Sequence, residues 1–343
     1  MSTLERPCLP LLSKGEQTKK SEKMSSSLQS KLQFQAAWLY YMRDMKQSEI
    51  AELLQTSRAS VALYLKQARE RGMLSISMAT DIFREHVVAQ QLEQEFGLEA
   101  AYVLAPHGVK NHTDPLQDCA ILGGEVLLKF IEENDELGVA WGLTLYELAK
   151  RLPLKTVRGL EVVQLCGNLG APFGYAPERC TLEIANRLSA KSRNLYAPLT
   201  VSTVELAQQL SKEPIIAEQL AILESCTKTI FSFGSCNVNS HIVSCGSLTA
   251  KEMRQAYKRG ARAVVAGRLI NQQGQPFQEA HKSRIIGITL DRIKKIPFRI
   301  AVSAGIEKAE AILAGLTGDF ATHLVVDLET AEAVLKLKQI ERD

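Results

Sequence analysis

From Leu98 onward, short apolar runs alternate with stretches of helical periodicity, and this rhythm constrains the fold of the 343-residue chain more than any other feature. The runs are Ala101–Leu104, Leu137–Ala140, Leu160–Leu165, Thr229–Phe233, Ala263–Ala266, Ile285–Ile288, Arg299–Val302 and His323–Val326. Between them lie helical patterns such as Leu116–Ile131, Thr144–Leu152, Glu178–Leu188 and Lys308–Leu313. A strand buried on both faces reads as a continuous apolar run, so the alternation predicts an α/β fold with a largely parallel sheet covered on both sides. Ligands of such sheets sit beyond the carboxyl ends of the strands, which directs attention to the segments that follow each run.

Three of those segments carry glycine turns. Gly138 to Leu145 passes from strand through Gly142 into a helix, where the N–H groups of Leu143 and Thr144 and the Thr144 hydroxyl suit an anion; a tight turn without a ligand is the plain alternative. Cys166-Gly167-Asn168-Leu169-Gly170 follows the next run and points to the same sheet edge. Ser303 to Lys308 again joins a run to a helix, with Lys308 as a candidate cation or a solvated helix-start lysine. Arg268, after Gly267, is a further candidate cation or a surface ion-pair partner. None of these turns matches the Walker or dinucleotide patterns.

The N-terminal part reads differently. Gln47 to Gly72 holds two short helical patterns, Ile50, Leu53 and Leu54 in the first and Val61, Leu65 and Ala68 in the second. Thr56 or Ser57 is placed to cap the second helix. This is helix-turn-helix spacing: Ala51 lies at the crossing, and Ile50, Leu53, Val61 and Leu65 are expected in a small core. The residues left for DNA are Gln47, Ser57, Arg58, Ala59, Ser60, Ala62, Leu63 and Lys66, since the start of the second helix enters the major groove. A surface helical hairpin is the bland alternative. Leu28 to Arg43 supplies a preceding helix, with Leu32, Ala36, Leu39 and Tyr40 on one stripe and Trp38 and Tyr41 as core or rim residues.

Charge follows the same division. Met1 to Met78 holds 12 Lys/Arg against 7 Asp/Glu, a local excess of +5 in a chain of net +3. Basic excess around the paired helices suits phosphate attraction, although a solvated tail gives the same count. Residues 1–27 hold few side chains able to form a core and read as a disordered extension. Met73–Met78 alternates and suggests a strand or wing, and Asp81–Phe96 reads as a connector helix. The 7 cysteines form no C-x-x-C pair, and the 6 histidines supply no zinc-ligand spacing, so no metal or other cofactor is expected. No apolar run spans a bilayer and the N-terminus lacks a secretory pattern, which places the expected working compartment in the cytoplasm.

Several motifs occur together in one order: Ala37-Trp38-Leu39-Tyr40-Tyr41, Gln47–Ala51, Ser57-Arg58, Ala68–Gly72, Val139–Leu145, Ala266-Gly267-Arg268 and Glu307–Leu313. In this combination the chain resembles the SorC/DeoR-type family of sugar-binding bacterial transcriptional regulators, from about Leu28 to the C-terminus. The resemblance implies an effector domain similar to sugar-phosphate isomerases and deaminases, converted to a sensor. It also implies a phosphorylated sugar as effector, operator DNA as partner, and a homotetramer or homodimer. Under it Gly142, Leu143 and Thr144 bind phosphate, Gly167 and Asn168 line the pocket, and Arg268 and Lys308 add positive charge. The chain departs from the family at Ala263-Val264, where Gly-Asp is usual, at Ser303–Ile306, and at Ala62-Leu63 on the second helix.

The expected organisation is an extension (1–27), a helix-turn-helix domain (28–80), a linker helix (81–97) and a Rossmann-like effector and oligomerisation domain (98–343). The expected function is a DNA-binding regulator, a repressor in form, that is not an enzyme. A sugar-phosphate isomerase or deaminase fused to a basic domain is the competing reading, and a protein-interaction module is a third. Isomerase chemistry needs a positioned carboxylate or His near the sugar carbons, and no such constellation stands out.

Overall fold

Helix starts and stops in the N-terminal region follow from short-range polar contacts. The computed structural model describes residues 29–74, 79–84, 86–105, 114–169, 174–277 and 283–342. The expected extension (1–27), the end of the Met73–Met78 strand and Gly170 lie outside these. The chain divides into two compact units, one up to residue 76 and one from 77 on.

The first unit contains helices α1 (residues 29–42), α2 (Gln47–Leu53) and α3 (Arg58–Glu70). Glu49 starts α2 by accepting a hydrogen bond from the Lys46 N–H at 3.0 Å. Ser57 caps α3, its Oγ accepting from the Ser60 N–H at 3.0 Å, so one donor at the exposed helix start is satisfied. The core is Ala36, Ala37, Ile50, Ala51, Val61, Leu65 and Ala68. Leu53, expected in that core, is instead 61% exposed. The face of α2 that meets the core is set by Ile50, Ala51 and Leu54, and a residue three on from Ile50 falls about 100° away from the centre of that face. Trp38 is half-exposed and stacks on Phe34 with ring centroids 6.4 Å apart. Gln33 is buried; its side chain donates to Gln67 Oε1 at 2.6 Å and accepts from Arg71 at 2.9 Å, tying α1 to α3.

The second unit is built on β1 (Ala100–Leu104), β2 (Glu136–Val139), β3 (Glu161–Gln164), β4 (Lys191–Arg193), β5 (Lys228–Phe231), β6 (Gly234–Ser235), β7 (Ala261–Val265), β8 (Arg268–Asn271), β9 (Phe298–Val302) and β10 (His323–Asp327). Seven of them form a parallel sheet in the order β1-β10-β9-β5-β2-β3-β4. From β2 the chain steps outward to β3 and β4, then returns to β5 on the other side of β2. The order therefore reverses between β2 and β5, and the crevice beyond their carboxyl ends is where such sheets bind ligands. Strands β6, β7 and β8 form a separate antiparallel sheet.

Helices α4 (Val87–Phe96), α5 (Pro115–Phe130) and α6 (Leu143–Arg151) supply apolar faces to one large core, with Val88, Ala89, Leu92, Val126, Leu145 and Leu148 among its buried members. The segment 81–97, read as a connector, thus lies within the second unit: α4 packs on β1 and on helix Leu328–Arg342, because three apolar residues repeat at helical spacing on one side. Ile285–Ile288, read as a strand, forms no strand. It makes isolated bridges to Thr200 and Cys166, and its carbonyls are engaged as described below. Among the described residues no helix is long and apolar enough to cross a membrane.

Candidate functional site

Three segments that leave the carboxyl ends of strands converge on the crevice at the reversal of strand order. After β2 comes Ala140–Leu143, after β5 comes Ser232–Ser235, and after β9 comes Ser303–Lys308. Residues from all three line a cavity of about 420 Å³, closed on another side by Val264 of β7, by the Ala266-Gly267 turn that follows it, and by Asn237 and Asn239–Ile242.

The first turn depends on Gly142. Its φ of 124° and ψ of 169° belong to a region open in practice to glycine alone, and this residue is the N-cap of α6. A side chain at the N-cap position ordinarily accepts from the first-turn N–H groups; here there is none. The start of α6 thus presents backbone donors and the positive end of the helix dipole toward the cavity. Thr144, in the first turn, lines the same wall.

Lys308 arrives from the third turn. Its ammonium donates to Thr144 Oγ1 at 3.4 Å, and no ion pair to it is found among the described residues. Burial is the main cause that pushes its pKa below the ordinary lysine value, outweighing the opposing fields of Glu307, Cys119 and Asp327. Asp327 is itself committed, accepting from the Gly305 N–H at 3.0 Å and from the Thr330 hydroxyl at 2.8 Å, which fixes the turn that carries Lys308. Ser303 joins the second and third turns, its Oγ accepting from the Phe233 N–H at 3.1 Å.

His241 completes the corner. Its ring stacks on Tyr175 with centroids 4.4 Å apart, and Trp141 lies at 6.3 Å. Burial, and then the charge of Lys308, hold its pKa below the usual histidine value. The sequence carried only a faint signal for it: a polar run from Ser235 to His241 directly after a strand end.

Of the residues singled out from sequence, Gly142, Leu143, Thr144 and Lys308 meet in this cavity. The remaining three do not line it. Gly167 packs against backbone, where a Cβ would stand 2.5 Å from Pro198 C and O, and its N–H donates to the Ile286 carbonyl. Asn168 accepts from Gln164 Nε2 at 2.6 Å and borders a separate shallow recess. Arg268 is buried, and its guanidinium donates to the carbonyls of Ile288, Gly287 and Ile285 at 2.7, 3.1 and 3.4 Å. Ala266 and Gly267, both at positive φ, turn the chain tightly between β7 and β8; Gly267 borders the cavity while Arg268 clasps the 285–288 segment.

In the first unit, Arg58, Ala59, Ala62, Leu63 and Lys66 are exposed along α3, with Ser57 exposed at its start and Ser60 and Gln47 part-exposed. Leu63 is 49% exposed, a large apolar side chain half open to solvent. Among the described residues no group of three His, Cys, Asp or Glu side chains is placed to hold a metal.

The sequence matches the family described as "Putative sugar-binding domain" over residues 80–336. It is 32% identical to the transcriptional regulator YjhU of Escherichia coli (strain K12), over 88% of this chain and 93% of that protein. It is 27% identical to the deoxyribonucleoside regulator of Bacillus subtilis (strain 168), over 89% and 97%. The crystal structure of the full-length sorbitol operon regulator SorC from Klebsiella pneumoniae superposes with a TM-score of 0.68 at 23% identity, covering 89% of this chain and 98% of that one. A DeoR family transcriptional regulator from Listeria monocytogenes superposes at 0.67 with 24% identity, over 72% and 98%. At such identities the superpositions speak to the fold.

Proposed function

The chain belongs to the SorC/DeoR family of sugar-binding transcriptional regulators, and from that premise we propose that a phosphorylated sugar, bound in the crevice beyond β2, β5 and β9, sets the affinity of α3 for operator DNA. One observation carries the effector half of this reading: the half-buried Lys308 ammonium beside Thr144, at the uncapped start of α6. A buried charge without a counter-ion is costly, and an incoming phosphate supplies the counter-ion while the N–H groups of Leu143 and Thr144 donate to it. His241 stands close enough to Lys308 to feel its charge, and it becomes a further donor once an anion is present.

The DNA half rests on the three-helix unit. A second helix capped by Ser57, with Arg58, Ala59, Ala62, Leu63 and Lys66 facing outward, has the form of a helix-turn-helix whose recognition helix reads the major groove. Arg58 and Lys66 contact phosphate or guanine; Ala62 and Leu63 contact the thymine methyl. The chain acts as a dimer or a tetramer, since one such helix covers only a half-site. It acts as a repressor released by its effector, and the crevice senses the sugar rather than converting it.

The test measures fluorescence anisotropy of genomic DNA fragments selected by the full-length protein, with and without a panel of sugar phosphates, alongside turnover of the same panel. A fragment bound tightly alone and released by one sugar phosphate, without turnover, supports the reading. Turnover without selective DNA binding overturns it in favour of an enzyme.

A further inference from the structure

His241 borders the start of α6. A Cβ on Gly142 would lie 3.8 Å from His241 Nδ1, so the imidazole edge faces the place where a capping side chain would otherwise stand. The ring is held from its other sides. It stacks on Tyr175 at 4.4 Å, Trp141 lies at 6.3 Å, and the Gly142 N–H donates to the Tyr175 carbonyl at 3.3 Å, which ties the stack to the helix start.

The charges around the ring decide its protonation. From the segment after β9 come Lys308, whose field reaches the imidazole, and Glu307, whose carboxylate turns back to within 2.5 Å of where a Cβ on Gly305 would stand. Behind Tyr175 lies helix α7 (Pro177–Arg187), where Glu178 is near Cys180 and Cys180 Sγ donates to the Tyr175 carbonyl at 3.6 Å; burial pushes this thiol up to about 12, so it stays neutral. On the segment of His241 itself, Cys245 donates its thiol hydrogen to the Ile242 carbonyl at 3.4 Å. Without an effector, burial and then the Lys308 ammonium favour the neutral imidazole. A phosphate dianion at the start of α6 reverses the sign of the local field. An opposite charge within about 4–6 Å raises the pH at which a histidine loses its proton by about 1–3.

Resting on the effector site argued above, we propose that His241 couples effector binding to proton uptake: the ring is neutral in the free crevice and holds the phosphate as imidazolium, so the regulator reads effector and pH together. The proton comes from solvent. An ordinary histidine titrates at about 6.5; the free ring titrates below that value and the phosphate-bound ring above it, so affinity falls as pH rises through the upper limit. Below about pH 6 the phosphate of the ligand takes a proton itself, which limits binding on the acid side.

Titration calorimetry of the full-length protein in buffers of low and high ionisation enthalpy counts the protons taken up. The probes are ribose 5-phosphate and glucose 6-phosphate, each beside its unphosphorylated parent. His241→Phe keeps an aromatic ring against Tyr175 and cannot take a proton, whereas His241→Asn keeps a neutral donor. Lys308 and the ligand phosphate titrate in all three proteins, so the share of His241 is the difference between wild type and variants. At pH 7 the wild type is expected to take up about half a proton or more beyond either variant. At pH 6.5 it binds about ten- to a hundredfold more tightly than His241→Asn, as loss of a charged hydrogen bond requires, and the gap narrows to within about threefold by pH 9. Equal proton uptake in wild type and variants, or a gap that stays constant with pH, overturns the inference and leaves the effector site standing. Phosphorylated sugars that bind no more tightly than their parents overturn the effector site itself.

Discussion

Replacing Lys308 by methionine separates the cost of a half-buried charge from its use. Methionine keeps most of the aliphatic stem and removes the ammonium that lies beside Thr144 at the start of α6. With a phosphate bound, the lost interaction is a charge-assisted hydrogen bond worth about 1.5–3 kcal/mol, together with the penalty of leaving a buried anion short of its counter-charge. A total of about 2–4 kcal/mol is about a thirty- to thousandfold loss of affinity, at 1.4 kcal/mol per factor of ten. Without effector the sign reverses. Burial holds the Lys308 pKa below its unfolded value, so the charged form is penalised in the folded state and the unfolded chain binds more protons between the two values. Stability from this residue therefore rises as pH climbs through that window, and the penalty is fully present below it. The variant lacks the penalty, so its effector-free melting temperature is equal to or higher than that of the wild type at neutral pH. Calorimetric titration with the best-binding sugar phosphate, paired with thermal melts of the free proteins, reads both effects. Affinity within threefold of wild type, or a melting temperature several degrees lower, would refute the reasoning.

Three further outcomes are expected. Arg58→Ala, at the exposed start of α3, costs about 1–3 kcal/mol at the operator if the side chain reads a base; if it contacts phosphate, it weakens all sequences and lowers the salt slope by about one, and anisotropy across salt concentrations distinguishes the two. Ser57→Ala removes the cap on α3 and costs about 0.5–2 kcal/mol, read as an earlier melt of the first unit with the second unit unaffected; coincident unchanged melts would count against the cap. His323, buried between Phe130 and Phe298 with its pKa pushed down to about 4, is held neutral by burial first and by nearby Arg84 and Arg299. The unfolded chain binds its proton near 6.5, so stability falls as pH drops from about 6.5 to about 4, and His323→Gln flattens that part of the stability profile.

Much of the sheet was legible because a strand buried on both faces must be apolar throughout. The middles of β10 and β9 show this, with Leu324, Val325 and Val326 and Ile300, Ala301 and Val302 fully buried. Ile285–Ile288 has the same composition for a different reason: it lies buried while its carbonyls bind Arg268, an arrangement that no local pattern encodes. β4, β6 and β8 are too short or too polar to signal themselves, and without β6 and β8 the Val264 wall could not be placed. The corner formed by Gly142, Thr144 and Lys308 was readable because each belongs to a strand-to-helix turn at one sheet edge. Gly167 and Arg268 belong to similar turns, yet the next residues in space, Pro198 and the 285–288 segment, use them for packing. Leu53 misled through spacing alone, since a seven-residue helix has room for one buried face, and Ile50 and Ala51 set it.

The central claim is that occupancy of the crevice at the start of α6 changes DNA affinity, and a titration of the preformed complex tests it most directly. Full-length protein bound to its selected operator is titrated with a sugar phosphate and with the same sugar unphosphorylated, in wild type and Lys308→Met, while anisotropy reports release. The account predicts that the phosphate shifts the operator dissociation constant of the wild type by about 5- to 150-fold, as a coupling of 1–3 kcal/mol requires. It predicts that the unphosphorylated sugar does far less and that Lys308→Met binds the operator normally but needs much more phosphate for release. An operator affinity indifferent to every sugar phosphate that binds the crevice, or a Lys308→Met response equal to wild type, would contradict it.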